Sequence, residues 1–391
     1  MSQSSPARVL HVIESTTAGV RRYVTYLLQH QSPQWHMEVA CPTIRQAHYG
    51  DVAFVEEIRK LGVHVHDVPM RRTIGLSDAL ALRELWLVVR RGRFDLIHTH
   101  SSKAGFLGRL TARLNGAPVV HTPNGLYYLG QHGFKRQFYR ALEQLAGFLT
   151  TQMIAVSEGE REVIARDRLV SPNQLCVIEN SVDARRIRQQ ADSPEGQALR
   201  ARLLLNGRRP VIGAAGRMVP QKDPLTFVRA AALLKDALPG AIYVWCGDGE
   251  LRTETERLAA QFSVPLIMPG HQENSAAIMR AFDVFVLPSI YEGLPFTLLE
   301  AMALGLPIVA SDISGVRDAL GHEAAGWLAT AQDAQALAAQ ILCAWTQQEE
   351  TQRRARAAQQ LVETRFSVEH MVQQHFALYD RLLQAPIPQK A

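Results

Sequence analysis

Short apolar runs alternate with longer stretches in which apolar residues recur every three or four positions, and the alternation continues along nearly the whole chain. This pattern predicts parallel sheets covered by helices. In the first half, strands are expected at 9–13, 37–41, 63–68, 96–98, 119–122 and 152–156, with helices at 20–31, 52–61, 77–91, 103–114, 135–148 and 158–166. A polar segment, 184–209, reads as a linker. Beyond it come strands at 211–215, 242–246, 266–268, 284–287 and 307–310, with helices at 224–237, 250–262, 274–282 and 295–304. Two more helices are expected at 334–346 and 348–365. A last one starts near Ser367, and its apolar stripe (Met371, Val372, Phe376, Tyr379, Leu383) must be covered by something. The expected units are an N-terminal domain, 1–183, the linker, a C-terminal domain, 210–366, and a final helix and tail, 367–391.

At 391 residues the chain exceeds one ordinary core and suits two α/β domains. The four cysteines, Cys41, Cys176, Cys246 and Cys343, lie far apart, which argues against a disulfide framework or a zinc site and fits a reducing cytoplasm. The apolar run Val9 to Ile13 is too short for a signal segment or a membrane span. Charge is uneven. Through Val182 there are 21 Lys and Arg against 15 Asp and Glu, a surplus of +6, whereas the remainder has 21 against 22, or −1. The basic half suits an anionic membrane surface, a phosphate-bearing acceptor or a solvated exterior. The basic residues are dispersed and no reading-module signature is present, so nucleic acid is discounted.

The most informative stretch runs from Tyr291 to Ala303. Glu292 and Glu300 bracket a turn and a helix start. Gly293 permits close approach of a ligand, Leu294 follows it, and Pro295 suits the first helical position. The backbone N–H groups of Phe296, Thr297 and Leu298 would then point at an anion. This Glu-x7-Glu spacing resembles the signature of the retaining family 4 glycosyltransferases. The resemblance covers nearly the full chain and implies a GT-B fold: two Rossmann-like domains facing across a cleft, with a final helix crossing back onto the first. It further implies that Glu292 touches donor-sugar hydroxyls and Glu300 holds the ribose.

Other loops extend the resemblance or share the same sheet edge. Gly216-Arg217-Met218-Val219-Pro220-Gln221-Lys222 is similar to the family's diphosphate clamp, which makes Arg217 and Lys222 the main expected catalytic groups. A lysine near a helix N-terminus is unfavourable unless an anion lies there. Gly247-Asp248-Gly249 forms a permissive turn before a helix, where backbone could approach a nucleotide. In the first half, the loop from Glu14 to Tyr23 keeps Gly19 near the expected diphosphate, but Ser and Thr replace much of the family's glycine content. Arg21 and Arg22 either bind an acceptor phosphate or form a solvated helix face.

His98-Thr-His100-Ser101-Ser102-Lys103 resembles a family loop with two histidines, so that His100, Ser101 and Lys103 are expected to face the acceptor. The two histidines are expected to point opposite ways, one packed and one toward the cleft, with no third ligand near for a metal. Asn124, in Thr122-Pro-Asn-Gly125, stands where many relatives have His. It can hydrogen-bond the sugar but cannot act as acid or base near neutral pH, and Pro-Asn-Gly is also an ordinary turn. The segment 134–145 is a basic amphipathic helix whose stripe of Phe134, Phe138, Leu142 and Leu145 is either core or a lipid-facing surface.

The expected activity is retaining transfer of a sugar from a UDP- or GDP-sugar to a glycan or lipid-linked acceptor in cell-envelope polysaccharide synthesis. No metal or other cofactor is expected. The expected location is cytoplasmic, and contact with the inner face of the membrane is left open. A sugar-nucleotide epimerase of the same architecture and a non-catalytic nucleotide-sugar sensor remain open. A dinucleotide oxidoreductase is disfavoured, because no Gly-x-Gly-x-x-Gly follows either first strand.

Overall fold

The computed structural model describes residues 6–16, 18–43, 50–71, 75–203, 207, 209–322 and 324–384. Parts of the expected linker and tail (204–206, 208 and 385–391), with Thr17 of the first loop, lie outside the described residues. The chain divides into two compact units, Met1–Asn180 with Glu369–Ala391, and Ser181–Val368.

In chain order the first unit contains β1 (Ala7–Ile13), α1 (Ala18–Gln29), β2 (Trp35–Cys41), α2 (Gly50–Lys60), β3 (Val65–Asp67), α3 (Ser77–Gly92) and β4 (Leu96–His100). It continues with α4 (Ser102–Asn115), β5 (Val119–Thr122), α5 (Gly133–Gly147), β6 (Gln152–Ala155), α6 (Glu158–Arg166) and β7 (Leu175–Val177). These strands form one parallel sheet in the order β3-β2-β1-β4-β5-β6-β7. The order reverses direction between β1 and β4, and doubly wound sheets take ligands beyond the carboxyl ends of strands at such a point.

The second unit begins with α7 (Ala184–Asp192) and α8 (Pro194–Ala201). The segment expected as a linker is therefore largely helical. Asp183 caps α7 by accepting from the Arg186 amide at 2.8 Å, Ser193 caps α8, and both helices pack on a later helix of the same unit. Then come β8 (Val211–Ala215), α9 (Pro224–Leu233), β9 (Ile242–Cys246), α10 (Arg252–Gln261), β10 (Leu266–Gly270), α11 (Ser275–Met279), β11 (Val284–Leu287) and α12 (Phe296–Ala303). The unit closes with β12 (Ile308–Ser311), α13 (Ser314–Ala319), β13 (Trp327–Ala329), α14 (Ala334–Thr346) and α15 (Gln348–Thr364). Its parallel sheet has the order β10-β9-β8-β11-β12-β13, so its switch point lies between β8 and β11. Every residue of β8, β9, β11 and β12 is buried, which is why these strands read as continuous apolar runs.

The last helix, α16 (Val368–Gln384), docks on the first unit. Trp35 stacks on Phe376 at 5.7 Å between ring centroids, and the Tyr379 hydroxyl bonds His98 Nδ1 at 2.6 Å. The apolar stripe is thus covered, by the first unit as the resemblance implies, and the helix in turn covers a cluster of histidines. His11, His98, His100, His121 and His375 are all fully buried. Burial, with repulsion from His375, pushes His11 down to about 3, and burial pushes His375 down to about 4 against an accepting Met371 carbonyl that raises it. His98, His100 and His121 are also held well below 6.5, again chiefly by burial.

These rings are neutral when folded and protonate more readily when unfolded. The stability they contribute is complete above about pH 6.5 and is lost as pH falls toward 4 for His375 and 3 for His11. Each such group adds at most about 1.4 kcal/mol per pH unit in that window. Urea midpoints should fall steeply between pH 6.5 and 4, and less steeply in His375→Gln. An unchanged slope in the variant would count against the assignment.

Candidate functional site

In the second unit the two loops at the switch point are joined directly. After β8 the chain runs through Gly216 and the exposed Arg217 into a 3-10 turn, Pro220–Lys222, and after β11 it reaches Tyr291 and Glu292. The Lys222 ammonium donates to Glu292 Oε1. Gln221 Nε2 donates to the Tyr291 carbonyl at 3.0 Å and to Glu292 Oε2 at 3.3 Å, and the Ile290 amide donates to the Gln221 carbonyl at 2.8 Å. The Lys222 and Glu292 side chains are 14% and 8% exposed, so the pair is shielded yet reachable. The anion that offsets Lys222 near the start of α9 is therefore Glu292. An incoming diphosphate would compete with it or share the lysine.

Gly247 and Gly249 are required by packing between loops. A Cβ on Gly247 would stand 2.0 Å from the Gly216 carbonyl oxygen, and one on Gly249 would stand 2.4 Å from that of Met218. The Gly216 amide donates to the Cys246 carbonyl at 2.9 Å, and the Met218 amide donates to that of Asp248 at 2.8 Å. The glycines let the two loops zip together, which fixes the backbone that carries Arg217. Asp248 Oδ1 accepts from the Gly249 amide at 2.8 Å and stays in its own turn.

Pro295 is extended and caps α12, so the helix starts one residue later than expected, at Phe296. The Leu298 amide donates to the Pro295 carbonyl at 3.1 Å. That amide is spent inside the first turn and corrects the expectation of three anion-facing groups; Phe296 and Thr297 remain as the candidate donors. Leu294 is buried, and Glu300 lies within α12 at 1% exposure. Gly293 is held from the far side by Gly315 in α13, where an added Cβ would meet the Gly293 carbonyl oxygen at 1.7 Å. Gly315→Ala must displace the Glu292 loop, and overpacking of this kind costs about 1–3 kcal/mol. The expected result is a nucleotide affinity weakened by roughly tenfold or more, read by calorimetry.

The first unit gathers its residues after β1, β4 and β5. Gly19 lies in the first turn of α1. Arg21 pairs with Glu57 at 2.7 Å and Lys103 with Asp78 at 2.8 Å, so both cations already have carboxylate partners. Burial holds the Arg22 guanidinium below the usual arginine range. The histidine expectation fails. His98 and His100 share one face, with ring centroids 4.1 Å apart, because residues two apart in a strand point the same way. Neither is exposed, and β1 brings a third ring, with His11 Nδ1 3.1 Å from His100 Nε2. Both nitrogens of His98 are engaged, by Tyr379 and by Thr122 Oγ1 at 2.8 Å.

Two residues here have left-handed backbone without being glycine. Ser101, which precedes α4, has φ 64° and ψ 168°, a region that is nearly glycine-only and costs about 1–3 kcal/mol. Asn124 has φ 55°, its Nδ2 donates to the Thr122 carbonyl at 3.2 Å, and its buried Oδ1 finds no partner among the described residues. The Asn124 turn is held by a residue the sequence reading passed over. Glu160, buried at 4% exposure, accepts from the Gly125 amide through Oε1 and the Val156 amide through Oε2, both at 2.8 Å. Burial raises its carboxyl despite these two bonds. The signal was present: Ser157-x-x-Glu160 is a capping-box spacing, and Ser157 Oγ does accept from the Glu160 amide at 3.0 Å.

Comparison with known proteins identifies the family. The family profile described as Glycosyl transferases group 1 matches residues 196–361, and that described as Glycosyl transferase 4-like domain matches 18–181. The UDP-Gal:alpha-D-GlcNAc-diphosphoundecaprenol alpha-1,3-galactosyltransferase of Escherichia coli is 33% identical over 269 residues, spanning 66% of this chain and 68% of its own. The capsular polysaccharide biosynthesis glycosyltransferase CapM of Staphylococcus aureus is 24% identical, spanning 71% and 74%. The crystal structure of Anabaena HepE in complex with UDP and glucose superposes with a TM-score of 0.81 at 20% identity, covering 96% of this chain and 100% of that one.

Proposed function

Given that the chain belongs to the group 1 glycosyl transferases and is a two-domain GT-B glycosyltransferase of polysaccharide or glycoconjugate synthesis, we propose that it uses a UDP- or GDP-sugar, UDP first, and retains the anomeric configuration. The observation that carries this reading is the Lys222–Glu292 pair, which joins the two switch-point loops of the second unit. Lys222 and Arg217, with the Phe296 and Thr297 amides, stabilise the departing diphosphate. Glu292 orients the sugar hydroxyls, and Glu300 holds the ribose. The relatives' names support the base: one uses UDP-Gal, and HepE was crystallised with UDP and glucose.

In this reading no carboxylate acts as a covalent nucleophile, and Asn124 holds no titratable proton at neutral pH. The acceptor oxygen attacks from the face the diphosphate leaves. As the glycosidic bond forms and the anomeric C–O bond breaks, the acceptor proton passes to the leaving phosphate. This chemistry requires no metal and no cofactor. In the proposed reading the acceptor is a lipid-linked glycan of the cell envelope, as the name of the E. coli relative suggests.

Membrane contact at the cytoplasmic face is supported by α5. Phe134 and Leu145 are 84% and 61% exposed, Phe148, which follows the helix, is 81% exposed, and the same helix carries Lys135, Arg136 and Arg140. Among the described residues, no helix is long and apolar enough to cross a membrane. Vesicles rich in phosphatidylglycerol should retain the wild type and release most of a Phe134→Ser/Phe148→Ser variant; equal retention would remove this contact. The transfer itself is tested by incubating protein, UDP-hexose, chelator and a polyprenyl-diphosphate sugar acceptor. The product should keep the donor's anomeric coupling. An inverted product, or sugar interconversion without an acceptor, would overturn the reading.

A further inference from the structure

At the opposite edge of the first unit's sheet, where the strands begin, is a second cluster that the transfer reaction does not use. Glu38 in β2, His64 just before β3 and His66 within it offer three ligand atoms that all lie within 4.8 Å of one another. The register that sets Val39 opposite Val65 brings them together, and period-two alternation places Glu38 with His36, and His64 with His66, on one face. They border a cavity of about 480 Å³ between these strand starts and α3.

The carboxylate is prepared as a ligand. Glu38 is 3% exposed and is held by the Arg8 guanidinium. Its two oxygens are divided. Oε1 faces the Arg8 guanidinium and, at 3.3 Å, His36 Nε2, while Oε2 faces His66 Nε2 at 2.7 Å. Arg8 is itself fixed by donating to the Gly92 carbonyl at 2.5 Å. A ligating carboxylate whose second oxygen is hydrogen-bonded is the usual outer-shell arrangement. His64 and His66 meet edge to face with centroids 4.5 Å apart, and His64 is exposed on an edge strand, which leaves a path for entry.

We propose that Glu38 Oε2, His64 and His66 bind a divalent transition metal of the zinc type, with water or His36 in the fourth position. Two imidazoles and a carboxylate suit this class, and magnesium or calcium would demand more oxygen ligands. Zinc bonds of about 2.0–2.2 Å require the His66 ring to open from Glu38 by roughly an ångström. The site lies away from the loops after β1 and β4, so chelation strips it without removing transfer activity.

The test uses the full chain without an affinity tag, treated with chelator and then titrated with Zn2+ by calorimetry and with Co2+ by visible absorption. Wild type should bind one equivalent. His64→Ala and His66→Asn should each weaken binding by at least ~10–100-fold, the loss that even an outer-shell change brings. His64 is exposed, so its variant should keep its fold, checked by circular dichroism, and its sugar-transfer rate. Absence of stoichiometric binding, or binding unchanged in a His64→Ala/His66→Asn double variant, would overturn the site.

Discussion

Lys222→Ala lowers kcat by about 10²–10³, the loss typical of removing one group that stabilises developing charge. Lys222 is the nearer of the two expected clamps to be fixed: it sits in a short 3-10 turn, and Glu292 and Gln221 hold its surroundings. The variant leaves Glu292 with the Gln221 contact at 3.3 Å and a carboxylate that now repels the diphosphate. Donor affinity should therefore fall together with kcat. Lys222→Arg keeps the charge but changes the reach, and should recover part of the rate. Steady-state kinetics on the three proteins checks this. Activity within threefold of wild type in Lys222→Ala would place the leaving-group charge elsewhere.

Glu143→Ala lowers stability by about 3–5 kcal/mol, the cost of leaving a buried charge without its partner. Arg109 is fully buried in α4. It donates from Nε to the Gly105 carbonyl at 2.8 Å and from a terminal nitrogen to Glu143 Oε2 in α5 at 2.7 Å. Its other terminal nitrogen, Nη1, finds no partner among the described residues, so Glu143 alone neutralises the guanidinium at close range. For a unit of this size the loss corresponds to a midpoint lowered by roughly 10 °C. Replacing both partners, as Arg109→Met/Glu143→Leu, should recover most of it, because the expense lies in desolvated charge and not in lost contact. Because the pair pins α5 to α4, Glu143→Ala should also loosen the exposed Phe134 stripe, visible as faster amide exchange in α5. Calorimetric scans of the single and double variants decide the point.

What could be read from the sequence follows from how local each feature is. Strands β8, β9 and β11 of the second unit are buried on both faces, so each shows as an unbroken apolar run. The Gly216–Lys222 and Glu292–Glu300 motifs each lie within one loop or loop-helix junction, so their resemblance to the family's motifs shows in the local sequence. β7 and β13 have three residues apiece and α13 has six, too few for a period to register. The polar surface of α7 disguised a helix whose packing depends on α11, nearly a hundred residues away. The histidines were misjudged for two reasons. The alternation rule was applied to neighbours two apart, and the third ring, His11, comes from a strand whose pairing with β4 no local pattern reveals. The Glu38, His64 and His66 cluster was invisible for the same reason, since it needs the register of β2 with β3. The close approaches at Gly247 and Gly315 likewise depend on backbone from distant loops.

The central claim is that the switch-point loops of the second unit form a metal-independent nucleotide-diphosphate site. Titrating UDP and GDP calorimetrically into wild type and Lys222→Ala, with chelator present throughout, tests it most directly. The account predicts one-to-one binding of a nucleotide diphosphate by the wild type, with UDP preferred, and affinity weakened at least ~10-fold by the substitution. Binding that requires a divalent metal, or that is the same in both proteins, would contradict it.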